Sequence, residues 1–136
     1  MGLSEFKPRY LTLAEHDDVV VASVGITQIN DEQNIEELGR ELFAVVDQYG
    51  FRKVVLDLTG VQYITSSVVG KIITLHRKLH RTNGQLVICN LTKGVEDVLS
   101  TSRMLSYFAH AATTQDAIDL LKSEDTVDTN VAELDL

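Results

Sequence analysis

The chain has 136 residues, 44% of them hydrophobic and 24% charged, with a formal net charge of −8. That length suits one domain with one core. The acidic balance (pI near 4.8) argues against a nucleic-acid partner, whose phosphates need a basic footprint. No apolar run approaches the roughly 18 residues of a membrane span. Met1-Gly2-Leu3-Ser4-Glu5-Phe6 has no basic segment followed by an apolar one, as a secretory signal would. The single cysteine, Cys89, excludes an intrachain disulfide and a cysteine metal cluster. A cytoplasmic location is expected, with no membrane association.

The lone proline, Pro8, precedes the first strand signal, Tyr10 to Glu15. Asp17-Asp18 marks a turn, and the β-branched run Val19 to Val24 completes an N-terminal hairpin. Ile35, Leu38, Leu42, Val45, Val46 and Tyr49 recur at helical spacing. Asp31 or Asn34 can cap that helix, and Gly50 can end it. Lys53 to Leu58 is continuously apolar, as in a strand covered on both faces. A second helix follows Ser67, with Val69, Ile72, Ile73, His76 and Leu79 on one side, and ends at Asn83-Gly84. Gln85 to Asn90 is another buried strand. Val95, Val98 and Leu99 mark a short helix, Ser106 to Ala109 a weak strand, and Ala117, Ile118 and Leu121 a last helix.

Strand–helix alternation after a hairpin predicts an α/β sandwich with a mixed sheet and about four helices over residues 1–122. The remainder, 123–136, holds Glu124, Asp125, Asp128, Glu133 and Asp135 without a Lys or Arg. It has no period to pack with, so it reads as an acidic, disordered tail that solubilises the chain.

Catalytic and metal chemistry is poorly supplied. His76 and His80 are four apart on a helix, but Arg77 and Lys78 lie between them and no glutamate follows His76, so no metal site is expected. No P-loop and no Gly-x-Ser-x-Gly elbow is present. Asp57, at the end of a strand, fits an acid or a turn cap equally well. No nucleophile, base and oxyanion donor assemble. The chain is expected not to be an enzyme and to need no cofactor.

The informative stretch is Asp57-Leu58-Thr59-Gly60-Val61-Gln62-Tyr63-Ile64-Thr65-Ser66-Ser67-Val68-Val69-Gly70. A buried strand ends, a turn follows, and three hydroxyl residues precede a helix. Hydroxyls favour helix starts because they accept from unpaired N–H groups there. The same groups and the helix dipole attract anions. Thr65 or Ser66 is expected to cap the helix. A hydroxyl at such a place can be a cap, a phosphate acceptor, or both.

This run resembles the signature of STAS domains of the anti-anti-sigma factor type: Asp-x-Ser, about five residues, then Asp-Ser-Ser-Gly at a strand-to-helix junction. The element order matches that family along about residues 8 to 122. The resemblance implies a partner-switching regulator of transcription. The unmodified protein binds an anti-sigma factor that is also a serine kinase, and this frees a sigma factor. The kinase phosphorylates the second serine, here Ser67, with Ser66 and Thr65 as alternatives, and a serine phosphatase resets the protein. The expected partner surface comprises Asp31, Thr59, Thr65, Ser66, Ser67, Val68, Lys71 and Thr92 on a monomer or weak homodimer. Two positions depart from the pattern. Thr65 replaces the family's Asp and removes a charge beside the acceptor. Val68 replaces its Gly and is expected to add bulk at the docking point. An altered motif also fits an adaptor or scaffold in a signalling assembly that is not phosphorylated.

Overall fold

The computed structural model describes residues 6–122. The expectations for the tail, 123–136, lie outside the described residues. In chain order the elements are β1 (Leu11–His16), β2 (Val19–Val24), β3 (Gln28–Ile29), α1 (Glu32–Asp47), β4 (Lys53–Asp57), β5 (Tyr63–Ile64), α2 (Ser66–Arg81), β6 (Gln85–Cys89), α3 (Lys93–Thr101) and β7 (Ala109–Ala111). A further helix, α4, covers 114–122. The main sheet has the order β1-β2-β4-β6-β7, antiparallel at β1–β2 and parallel across every later pair. The fold is the mixed α/β sandwich expected, with its N-terminal hairpin and four helices.

Side chains alternate faces along a strand, and the core splits accordingly. Val20, Ala22, Val54, Leu56, Leu86 and Ile88 point into the larger core with the apolar faces of α1, α2 and α3. Val19, Val21, Val55, Val87 and Cys89 point the other way, against Ala117, Ile118 and Leu121 of α4. Every residue of β4 from Val54 to Leu56 is therefore buried on one side or the other. This is why these strands read as unbroken apolar runs.

A small second sheet, β3 paired in parallel with β5, matches Gln28 to Tyr63 and Ile29 to Ile64. It joins the segment after β2 to the segment after β4, and Gln62 N–H adds a bond to the Thr27 carbonyl (2.6 Å). The weak strand is displaced from its expected place. The N–H groups of Tyr107 and Phe108 both bond the Met104 carbonyl in a turn, so these two residues have none to offer β6. Pairing starts only at Ala109, opposite Val87.

Glu41 is a buried carboxylate, 6% exposed, on α1. It accepts from the backbone N–H groups of Arg9 (2.7 Å), Tyr10 (2.9 Å) and Leu11 (3.2 Å). These bonds satisfy the chain where it enters β1 and pin α1 to that edge. A buried donor left unpaired costs about 1–3 kcal/mol. Glu41→Ala is therefore expected to lose about 3 kcal/mol or more in chemical denaturation, and Glu41→Gln, which keeps an acceptor oxygen, clearly less.

Candidate functional site

The parallel strands all end at the same edge, and Asp57 organises it. The Asp57 carboxylate accepts from Ser23 Oγ of β2 (2.9 Å), Asn90 Nδ2 after β6 (2.8 Å), and the N–H (3.0 Å) and hydroxyl (2.6 Å) of Thr59. Asn90 also donates to Thr114 Oγ1 of α4 (2.9 Å). Asp57 is thus a turn cap and strand tie. Burial pushes its pKa up, but the hydrogen bonds from Thr59, Asn90 and Ser23 outweigh that and hold it below the ordinary carboxylate range.

The next turn is held from above by α3. Thr92, the N-cap of α3, donates its hydroxyl to the Val61 carbonyl (2.6 Å) and accepts from Val95 N–H (3.4 Å). Gly94 lets α3 approach this turn, because a Cβ there would overlap the Gln62 carbonyl oxygen. Thr59 and Thr92, both expected at a partner surface, are thus engaged in shaping the loop that leads to α2.

Thr65 occupies the N-cap of α2 with extended backbone. Its carbonyl accepts from Val68 N–H (3.1 Å) and Val69 N–H (3.2 Å). Its hydroxyl makes no capping bond, and Oγ1 is buried without a hydrogen-bond partner among the described residues. The expected side-chain cap is therefore corrected: Thr65 caps with its backbone only, and Ser66 is already inside the helix. Ser66 and Ser67 are both exposed in the first turn, where N–H groups lack a carbonyl one turn before them.

Ser67 faces a groove of about 580 Å³ between the starts of α1 and α2. Asn30, Glu32 and Glu36 line the α1 side, and Thr65, Ser67 and Lys71 the α2 side. Asp31 caps α1 beside it, accepting from Gln33 N–H (3.1 Å). Lys71 is one turn beyond Ser67 and pairs with Glu36 across the groove (3.0 Å). Its aliphatic stem lies over Gly39, where a Cβ would come within 2.9 Å of Lys71 Cδ. Val68 contradicts its expected place: it is 2% exposed and packs in the larger core. One residue advances about 100° round a helix, so the step from Ser67 to Val68 passes from the groove to the inward stripe of Val68, Val69, Ile72, Leu75 and Leu79. The bulk of Val68 thus fills the interior, not a docking point.

Two features escaped the sequence reading. Tyr63 on β5 is 46% exposed just before α2, and its only sequence signal is an aromatic inside a polar turn. Glu36 is the carboxylate that engages Lys71, a pairing between distant helices that spacing does not reveal. Further along α2, the His76 ring packs at a tilt against His80 (4.2 Å between ring centroids) and Tyr107 (4.9 Å). Burial, His80 and Arg77 together lower the His76 pKa. Among the described residues no group of three or more His, Cys, Asp or Glu can hold a metal ion. Cys89 is buried, and burial pushes its thiol up to about 11, the pKa of an unreactive core residue.

The STAS domain family model matches residues 10–117. BtrV of Bordetella bronchiseptica, named an anti-sigma factor antagonist, is 33% identical over 113 residues, spanning 83% of this chain and 95% of that protein. A crystal structure of a Thermotoga maritima protein described as an anti-sigma factor antagonist superimposes with a TM-score of 0.73 at 20% identity, covering 82% of this chain and 94% of the other. The Bacillus cell fate determinant SpoIIAA, in its phosphorylated form, shares the fold with a TM-score of 0.62 at 19% identity over 80% and 96% of the two chains.

Two outcomes test this geometry. Thr92→Ala removes a cap and a tie and is expected to cost about 1–2 kcal/mol by denaturation, whereas Thr65→Ala, whose hydroxyl bonds nothing, is expected to cost less than half of that. Asp57 has a depressed folded pKa, so its stabilisation is present above the unfolded value and is lost as pH falls through the folded one. The stability gap between wild type and Asp57→Asn should therefore be flat above about pH 5 and narrow below about pH 4, as read from denaturation midpoints across pH. The matched family model, the covered relative and the shared fold agree with the strand-to-helix edge described above: the chain belongs to the STAS domain family.

Proposed function

We propose that this chain is an anti-sigma factor antagonist that acts by binding and is switched by phosphorylation of Ser67. The observation that carries the reading is the exposed Ser67 hydroxyl in the first turn of α2, facing the groove between α1 and α2. In the unmodified state the partner, an anti-sigma factor that is also a serine kinase, covers this edge in the cytoplasm. Tyr63 offers it an exposed aromatic surface beside the hydroxyls. Phosphorylation adds about −1.5 to −2 charges at neutral pH. A docked partner would have to desolvate that charge and face it with any carboxylate of its own. One like-charge pair at about 4 Å and an effective dielectric near 20 is worth about 4 kcal/mol, so release follows, and a phosphatase restores binding.

The competing reading is a STAS adaptor that is never phosphorylated. It is favoured by Thr65, which leaves the cap position without the carboxylate of the family pattern. Ser66 and Thr65 are the alternative acceptors. Incubation with the cognate kinase and ATP, followed by intact mass, separates the two readings. Calorimetry should show Ser67→Ala bound like wild type and Ser67→Asp weaker by about a hundredfold or more. Equal affinities for all three would leave the adaptor as the function.

A further inference from the structure

The strongest unexplained arrangement is the chain of charges along the groove. Ser67 and Lys71 are four residues apart on α2 and so lie on one helical face. Lys71 does not point to solvent. Its stem lies over Gly39, and its ammonium reaches Glu36 at 3.0 Å, inside the groove that Ser67 also lines. The groups facing Ser67 are Glu32 and Glu36 from α1, Lys71 from its own helix, and the neutral Asn30 and Thr74. A dianion on Ser67 would meet two carboxylates and one cation, and that cation is already committed to one of the carboxylates.

We propose that Lys71 is the phosphate-holding residue of this site: on phosphorylation of Ser67 it exchanges Glu36 for the phosphate, and Glu36 is left uncompensated beside Glu32. The inference rests on the reading of Ser67 as the acceptor. An ammonium gains more from a phosphate dianion than from a single carboxylate, because Coulomb energy scales with the charge product. Both pairs share one exposed groove, so neither exchange partner must be desolvated anew. The step needs only a rotation of the Lys71 end atoms, since its stem stays on Gly39. Its consequence is geometric: one modification turns a neutralised rim, Glu36 with Lys71, into two free carboxylates on α1 and a bound phosphate on α2. The repulsive surface met by a partner then spans both helices, although only one serine was modified.

The experiment installs phosphoserine at position 67 of the full chain during translation, so it does not depend on finding the kinase. Phosphorus NMR then follows the second ionisation of the phosphate. In the Lys71→Gln protein the dianion should bind its proton about threefold more tightly than in wild type, and Lys71→Arg should restore the wild-type value. The Lys71 side-chain ammonium signal should shift on phosphorylation. Phosphoserine placed at 66, which does not line the groove, should show no dependence on Lys71. An identical phosphate titration in wild type and Lys71→Gln, or equal dependence at positions 66 and 67, would overturn the proposal. Absence of phosphorylation by any kinase would overturn the functional reading while leaving this result standing.

Discussion

Three parallel strands that end at one edge leave their following loops with no hairpin partner, and the Asp57 carboxylate meets that constraint. It joins the ends of β2 and β4 and the residue after β6 through Ser23, Thr59 and Asn90. Asn90 carries the tie to Thr114 at the start of α4, on the other face of the sheet. Asn90 takes a left-handed conformation (φ 57°) to do so, one that Asn tolerates better than most residues. Replace the carboxylate by an apolar group and four donors lose their acceptor at once. The loops that lead to α2 and α3 would then lose their tie to the ends of β2 and β6.

From that anchor the site is assembled in two steps. Thr92 and Gly94 bring α3 down onto the turn of residues 59–62. The short β3–β5 pair then fixes this turn beside the segment that enters α1, with Ile29 and Ile64 both buried. As a result α1 and α2 begin side by side. Each helix start carries its own partial positive charge, but the two are furnished differently. Asp31 and Glu32 stand at the start of α1, while α2 begins with Ser66 and Ser67 and no acidic residue in its first turn. The charge at the start of α1 is answered by its own side chains, and that at the start of α2 is left open.

The legible part of this fold is what the hydrophobic effect writes locally. Runs such as Val19 to Val24 and Val54 to Leu56 are apolar because both faces are covered, and the helical stripes of α1 and α2 follow a simple period. Illegible features depend on long-range pairing. Two-residue strands such as β3 and β5 have no period, and their register is set by the ends of other elements. The position of β7 was misread because a turn at Met104 takes up the N–H groups of Tyr107 and Phe108. Val68 and Ser67 are adjacent in sequence, and only the rotation of α2 separates core from groove. The residue type of Thr65 suits a side-chain cap, but its hydroxyl is buried with no hydrogen-bond partner among the described residues, and only its carbonyl caps α2.

That separation has a consequence for how the site can change without harm to the fold. The core on both faces of the sheet is built from β2, β4, β6 and the inward stripes of the helices. Among the described residues, the side chains of Ser66 and Ser67 hold neither core contacts nor hydrogen bonds. A charge added to either serine therefore acts on what approaches the edge, while the stability of the domain stays in the hands of Glu41, Asp57 and the apolar faces. The two serines still differ. Ser67 opens on the groove that contains Glu32, Glu36 and Lys71, whereas Ser66 does not line it. Adjacent hydroxyls of the same type thus experience different fields, and a charge on Ser67 is felt by two helices where the same charge on Ser66 meets mainly solvent. The order of residues at the start of α2 decides which of two chemically identical groups is coupled to the groove.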